Sequence, residues 1–243
     1  MSQTRGNAKL TDMLARALFA IALLSPGNVR AADRRVDLSS FDSLRVEGPF
    51  LVTLTTASSP RGMVSGDAET LRQVEAQISG TTLVVRRTRE GGTTGQGSTG
   101  PVTLTIAAPP LSSITVLGGA KVTAQAMRGN ALTLNLSGAG DVRVDRADGE
   151  RLTATLLGAG RLAIGGGRVG KARLSANGPA TIAAAGLEAG DLVVTLEGPG
   201  EIDARARYSA AIANSGLGRV SIEGSPKCRV VNPGGGPVRC GGR

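Results

Sequence analysis

The stretch "LSGAGDVRV", Leu136–Val144, decides how the chain is read, because it sets Gly138 and Gly140 inside a regular alternation of apolar and polar residues. A phosphate loop would use such glycines once, where a strand meets a helix. Here "LLGAGRLAI", Leu156–Ile164, repeats the pattern, and "LEGPGEIDA", Leu196–Ala204, repeats it again. The leading glycines are Gly118, Gly138, Gly158, Gly178, Gly198 and Gly216, spaced 20, 20, 20, 20 and 18 residues apart.

Both flanks of each glycine keep one phase of alternation. Leu134 and Leu136 precede Gly138 and Val142 and Val144 follow it; Val194, Leu196, Ile202 and Ala204 stand likewise around Gly198. Strict period two means strands with one buried face. The odd positions form polar columns, Thr115, Asn135, Thr155, Ser175 and Thr195 before the glycine and Lys121, Asp141, Arg161, Thr181, Glu201 and Arg219 after it. If each unit is one coil, equivalent residues stack at about 4.8 Å, the ordinary strand spacing. Lys121, Asp141 and Arg161 then alternate in sign, and Glu201 faces Arg219. Asn214 breaks the apolar column, and its place in the last repeat predicts a neighbour on one side only.

A coil must bend sharply to close on itself. Glycine supplies positive φ and lets backbone approach backbone, so the glycine column reads as a repeated bend in an all-β solenoid. Pro179 and Pro199 suit such corners, since proline cannot donate to a ladder. A dinucleotide site would need a following helix and a later acidic residue, and neither context is present. Hairpins joined at each Gly-x-Gly would fit the turn length, but not the constant period with a single alternation phase.

The template also occurs as "LRVEGPFLVTL" around Gly48. Between it and the clear repeats lies an insertion, 55–110. Within it "DAETLRQVEAQISG" predicts a short amphipathic helix with Leu71, Val74 and Ile78 on one face, Asp67 as N-cap and Gly80 as the stop. This helix is expected to cover an open solenoid end. "TREGGTTGQGSTG" reads as a flexible loop.

Residues 1–31 read as a secretory signal: Arg5, Lys9 and Arg16, then the apolar run "ALFAIALL", then "VRA". The apolar run is too short to span a bilayer, and a slightly longer uncleaved helix anchoring the protein in the inner membrane is the rival reading. No later stretch approaches the ~20 apolar residues of a membrane helix. Four Lys or Arg and one Asp leave with that leader, so the net charge falls from +9 to +6. This balance permits attraction to polyanions such as anionic glycans or other envelope components. Nucleic acid is excluded as a partner, because Phe41, Phe50 and Tyr208 are the only aromatics after the leader.

Cys228 and Cys240, across "VVNPGGGPV", predict a disulfide closing a tail, 227–243, since an oxidising compartment favours it and there is no His to complete a metal site. No cofactor motif is present. The absence of His also removes Ser-His and Cys-His machinery. Glu201 and Asp203 are the one suggestion of paired carboxylates, roughly 6.6 Å apart along a strand. They read as an exposed strand neutralised by Arg205 and Arg219, so the chain is not expected to be an enzyme.

"FDSLRVEGPFLVTL", "MVSGDAETL", "GTTLVVRR", "LSGAGDV" and "SGLGRVSIEG" together resemble the bacterial family of autotransporter adhesins with a head GIN domain, over Val36–Pro226. The resemblance implies a secreted or envelope-located, right-handed β-helix-like solenoid, residues 32–226, with no assigned activity and no catalytic residues to carry over. The function expected is that of a non-enzymatic adhesin or envelope binding or structural protein. A regulatory or scaffolding role in the envelope is the alternative, and a polysaccharide-acting enzyme rests on fold analogy alone.

Overall fold

The computed structural model describes residues 31–88 and 101–242. The leader up to residue 30 and the glycine-rich loop 89–100 lie outside the described residues.

The twenty-residue period is a coil. Strand β9 (Lys121–Gly138) lies parallel to β10 (Asp141–Gly158) with Val122 opposite Val142 and Leu136 opposite Leu156. The offset of 20 continues through β11 (Arg161–Ile164), β12 (Gly167–Asn177) and β13 (Thr181–Glu197). Between Gly138 and Gly158 the buried positions are Gly140, Val142, Val144, Ala147, Leu152, Ala154 and Leu156. The glycine corner preserves the alternation, whereas the steps of three and five around Ala147 break it, next to a second set of stacked glycines, Gly129 with Gly149 and Gly170 with Gly190, which went unused in the sequence-based expectations. Stacking these positions makes a continuous aliphatic core, in which Leu134, Leu156, Leu162, Ile182 and Ile202 are wholly enclosed.

Five glycines of the column, Gly118, Gly138, Gly158, Gly178 and Gly198, have φ between +100° and +117°. At Gly158 (φ +114°) a Cβ would also stand 2.6 Å from the Gly138 carbonyl oxygen of the coil below. The corner thus excludes side chains twice, by backbone angle and by stacking distance. Gly216 departs from the pattern. It lacks a positive φ, and glycine is needed there because a Cβ would meet the Gly198 carbonyl at 2.0 Å.

Asn214 holds that altered corner. It is fully buried, receives the Gly216 N–H on its Oδ1 (3.2 Å) and donates from Nδ2 to the Gly218 carbonyl (2.9 Å). The expectation of a one-sided neighbour fails, because β14 (Glu201–Asn214) has β13 on one side and β16 (Lys227–Val231) on the other. Between β13 and β14 the offset of 20 drops through 17 to 18 at register shifts after Ala184 and Ala189.

The amino-terminal region is arranged differently from its order in sequence. Strands β2 (Ser43–Glu47) and β3 (Phe50–Thr56) form the coil around Gly48. They lie between β6 (Thr82–Arg87) and β7 (Val102–Ala108) on one side and β8 (Ser113–Leu117) and β9 on the other. The insertion therefore contributes a coil outside the first one. Beyond it the sheet changes direction: β4 (Arg61–Asp67) runs antiparallel to β7, β1 (Ala31–Val36) antiparallel to β4, and β5 (Val74–Ser79) antiparallel to β6.

The helix expected from Asp67 to Gly80 is only α1 (Ala68–Arg72). Asp67 is its N-cap, accepting from the Thr70 N–H (2.8 Å). Past Arg72 the alternation of Val74, Ala76 and Ile78 and the turn at Gly80 (φ +62°) form a hairpin with β6. An isolated helix of this length is marginal, so cross-strand pairing wins. Arg34 of β1 closes the arrangement by donating to the Leu71 (3.2 Å) and Val74 (2.8 Å) carbonyls.

At the other end Lys227–Val231 and β17 (Val238–Cys240) pair in parallel with β14 and β15 (Arg219–Gly224), so they add one more coil. Cys228 is in register with Ala210 and Cys240 with Ile222, both buried. The Cys228–Cys240 disulfide, Cα–Cα 6.3 Å, therefore crosses the coil over the aliphatic core.

Gly158→Val is expected to destabilise the fold by roughly 2 kcal/mol or more through the positive φ alone, measured by urea unfolding against a Leu157→Val control. Reducing Cys228–Cys240 is expected to remove roughly 3 kcal/mol of cross-link stabilisation for a loop of this length. Hydrogen exchange should then show the loss confined to 227–242, with protection retained at Val142 and Leu162.

Candidate functional site

Alternation gives every inward residue an outward neighbour, so the coils carry their chemistry on outward ladders. On the segment before each glycine, Thr115, Asn135, Thr155, Ser175 and Thr195 lie in register, with Thr133 and Thr153 beside them. Arg151, Lys171 and Arg173 are exposed on this same segment.

The charge ladder lies elsewhere than expected. Lys121, Asp141 and Arg161 are in register but form no ion pairs, and of that column only Glu201 and Arg219 do. The working ladder is ten residues past the glycine, where Arg128, Asp148, Arg168 and Glu188 align. Arg146 donates from Nε to Asp148 at 2.7 Å, Arg128 approaches the same carboxylate at 4.0 Å, and Arg168 donates to Glu188 at 3.1 Å. The Arg168 N–H also donates to Asp148 (3.2 Å). The hydrogen bond from Arg146 foremost, with the Arg168 N–H and the nearby guanidinium charges, holds the Asp148 carboxyl below the usual aspartate range against a smaller opposing effect of burial. The signal was present as alternating signs at twenty-residue spacing, but off the strands marked by apolar alternation.

Glu201 and Asp203 do lie on one outward face, and Arg219 pairs with Glu201. Arg205 does not neutralise Asp203 as expected; it binds Glu223 instead, at 2.6 Å. Burial, and then the Glu223 charge, push the Asp203 carboxyl up. Ser221 is in register with Asp203, but with no His in the sequence the Ser-His base pairing is absent, and no group of three or more potential metal ligands occurs among the described residues.

A shallow surface groove of about 480 Å³ is lined by Arg35, Arg61, Gly62, Met63, Thr105 and Ala107 at the antiparallel end. It is a trough between outward side chains, whereas small-molecule sites are usually enclosed and concave. No helix among the described residues is long and apolar enough to cross a membrane.

The family model described as "Putative auto-transporter adhesin, head GIN domain" matches residues 40–226. The chain belongs to this family. Solved structures share the fold of this head GIN domain protein. A "putative adhesin" from Bacteroides fragilis NCTC 9343 superposes with TM-score 0.75 at 19% identity, over 87% of this chain and 94% of that one. A "Putative lipid binding protein" from Parabacteroides distasonis ATCC 8503 gives TM-score 0.67 at 17% identity, over 89% and 98%. A "putative adhesin" from Parabacteroides merdae ATCC 43184 gives 0.63 at 17%, over 89% and 98%. At such identities the likeness is one of fold. Among curated proteins none matches the chain.

The head GIN domain chain should lose stability in acid partly through Asp148. Its folded pKa lies below the unfolded one, so its contribution is present above the ordinary aspartate range and disappears as pH falls through the lowered value. Thermal unfolding between pH 6 and pH 2.5 should show the wild type ahead of Asp148→Asn at the upper end and the two converging at the lower.

Proposed function

We propose that the protein is exported, loses its leader near Ala32, and acts in the envelope or at the cell surface as a non-enzymatic binding protein of the adhesin type. The observation that carries this reading is the set of outward polar ladders, stiffened by in-register pairing from β8 to β16 and free of any enclosed reaction chamber among the described residues. A solenoid face of this kind presents many weak, evenly spaced contacts to an extended partner. Family membership supports the same direction. So does the disulfide, which persists in oxidising compartments.

Lys121, Lys171 and Lys227 are exposed and make the location measurable. A membrane-impermeant amine reagent on intact cells is expected to label the chain, and mass spectrometry should find the mature terminus near Ala32. Labelling only after the envelope is permeabilised would overturn the surface role.

A further inference from the structure

The solenoid brings charged residues into register with opposite signs at every place among the described residues but one. The exception is Arg151 beside Lys171. Like charges directly opposite on neighbouring strands are destabilising, so this pair works against the rule followed by the rest of the molecule. Arg173, in register with Thr153, is two residues further along the same outward face and adds a third cation within two coils.

All three are exposed, and none takes part in an ion pair. The nearest opposite charge in register, Asp191 beside Lys171, instead accepts a hydrogen bond from the Ser209 hydroxyl (2.6 Å). Glu150, next in sequence to Arg151, is exposed without an ion pair.

The ground next to these cations is bare. A Cβ on Gly170 would meet the Glu150 carbonyl at 2.9 Å and one on Gly190 the Gly170 carbonyl at 2.5 Å, so the two glycines stack into a strip without side chains. Tyr208, 59% exposed, borders the strip at Gly190. Thr153, Thr155 and Ser175 offer hydroxyls on the other side.

We propose that Arg151, Lys171 and Arg173 bind a linear anionic polysaccharide, with its carboxylate or sulfate groups on the cations and its sugar rings along the Gly170 and Gly190 strip toward Tyr208. Cations on a flat strand face do not converge on one small anion. They suit a polymer that presents successive charges, each contact weak and the sum useful. The proposal rests on the binding role given above and names its ligand class and site.

The test compares the exported chain with two triple variants that lose equal charge: Arg151→Ala, Lys171→Ala, Arg173→Ala, and the control Arg35→Ala, Arg61→Ala, Lys121→Ala, whose cations are also without ion pairs. Binding to polygalacturonate and to dextran sulfate is measured against neutral dextran across a salt series. The first variant is expected to lose about tenfold or more in affinity with a shallower salt dependence, and the control less than about twofold. The polymer bound more tightly identifies the anion as carboxylate or sulfate. Arg151→Ala alone should keep or raise the melting temperature, because Arg151 lies between Ala131 and Lys171 and its removal relieves a like-charge neighbour without taking an opposite charge away. Equal losses in both triples, no binding to either polymer, binding to anionic phospholipid vesicles in its place, or a lowered melting temperature in Arg151→Ala would overturn the proposal. Surface labelling retained alongside such a failure would remove this site and leave the surface role standing.

Discussion

Everything in this molecule depends on one backbone coil resting on the next at strand spacing, including at the corners. Along the flat segments this is ordinary parallel pairing. At the corners carbonyl oxygens of one coil come within 2.6 Å of where the Cβ of Gly158 in the next would be. Only a residue without Cβ permits that approach, and the same residue supplies the positive φ that turns the chain. The glycine column and the aliphatic core are therefore two results of one constraint: fixed stacking aligns the corners and, with them, every inward side chain.

Such a stack has two open ends, and the chain closes them by different means. At the amino-terminal end the sheet continues from β7 into the antiparallel strands β4 and β1, while Leu71 and Val74 join the core and Arg34 satisfies their carbonyls. At the carboxy-terminal end the core columns run out at Cys228 and Cys240, whose disulfide spans the coil where aliphatic pairs stand below. Asn214 and Asn232 brace the last corners, each donating across a glycine turn, at 2.9 and 2.8 Å. A covalent bridge and side-chain hydrogen bonds thus hold the coil formed by β16 and β17, whose strands carry few buried aliphatic residues.

The outward surface obeys the same register. Stacked equivalent positions turn any sequence preference into a ladder, so alternating signs give the Arg128, Asp148, Arg168 and Glu188 series, and hydroxyl positions give long polar rows. Individually such exposed contacts contribute little. What they share is a spacing set by the backbone, which repeats each side-chain type at strand distance along the stack.

The twenty-residue period, the strand character of the flanks, the glycine corners, the Asp67 cap and the cysteine pair were all legible in the residues, because each arises from local steric or pairing requirements that repeat. Tertiary structure decided what local pattern leaves open. Parallel strands of similar composition do not state their neighbours, so only packing placed the Gly48 coil between β6 and β8. Val74, Ala76 and Ile78 fit a helix face or a strand face, and the partner strand β6 made the choice. The sequence pointed to the Lys121, Asp141 and Arg161 column and not to the Arg128, Asp148, Arg168 and Glu188 column, yet it is the second that carries the ion pairs Arg128–Asp148 and Arg168–Glu188, because register alone does not decide which charged side chains meet.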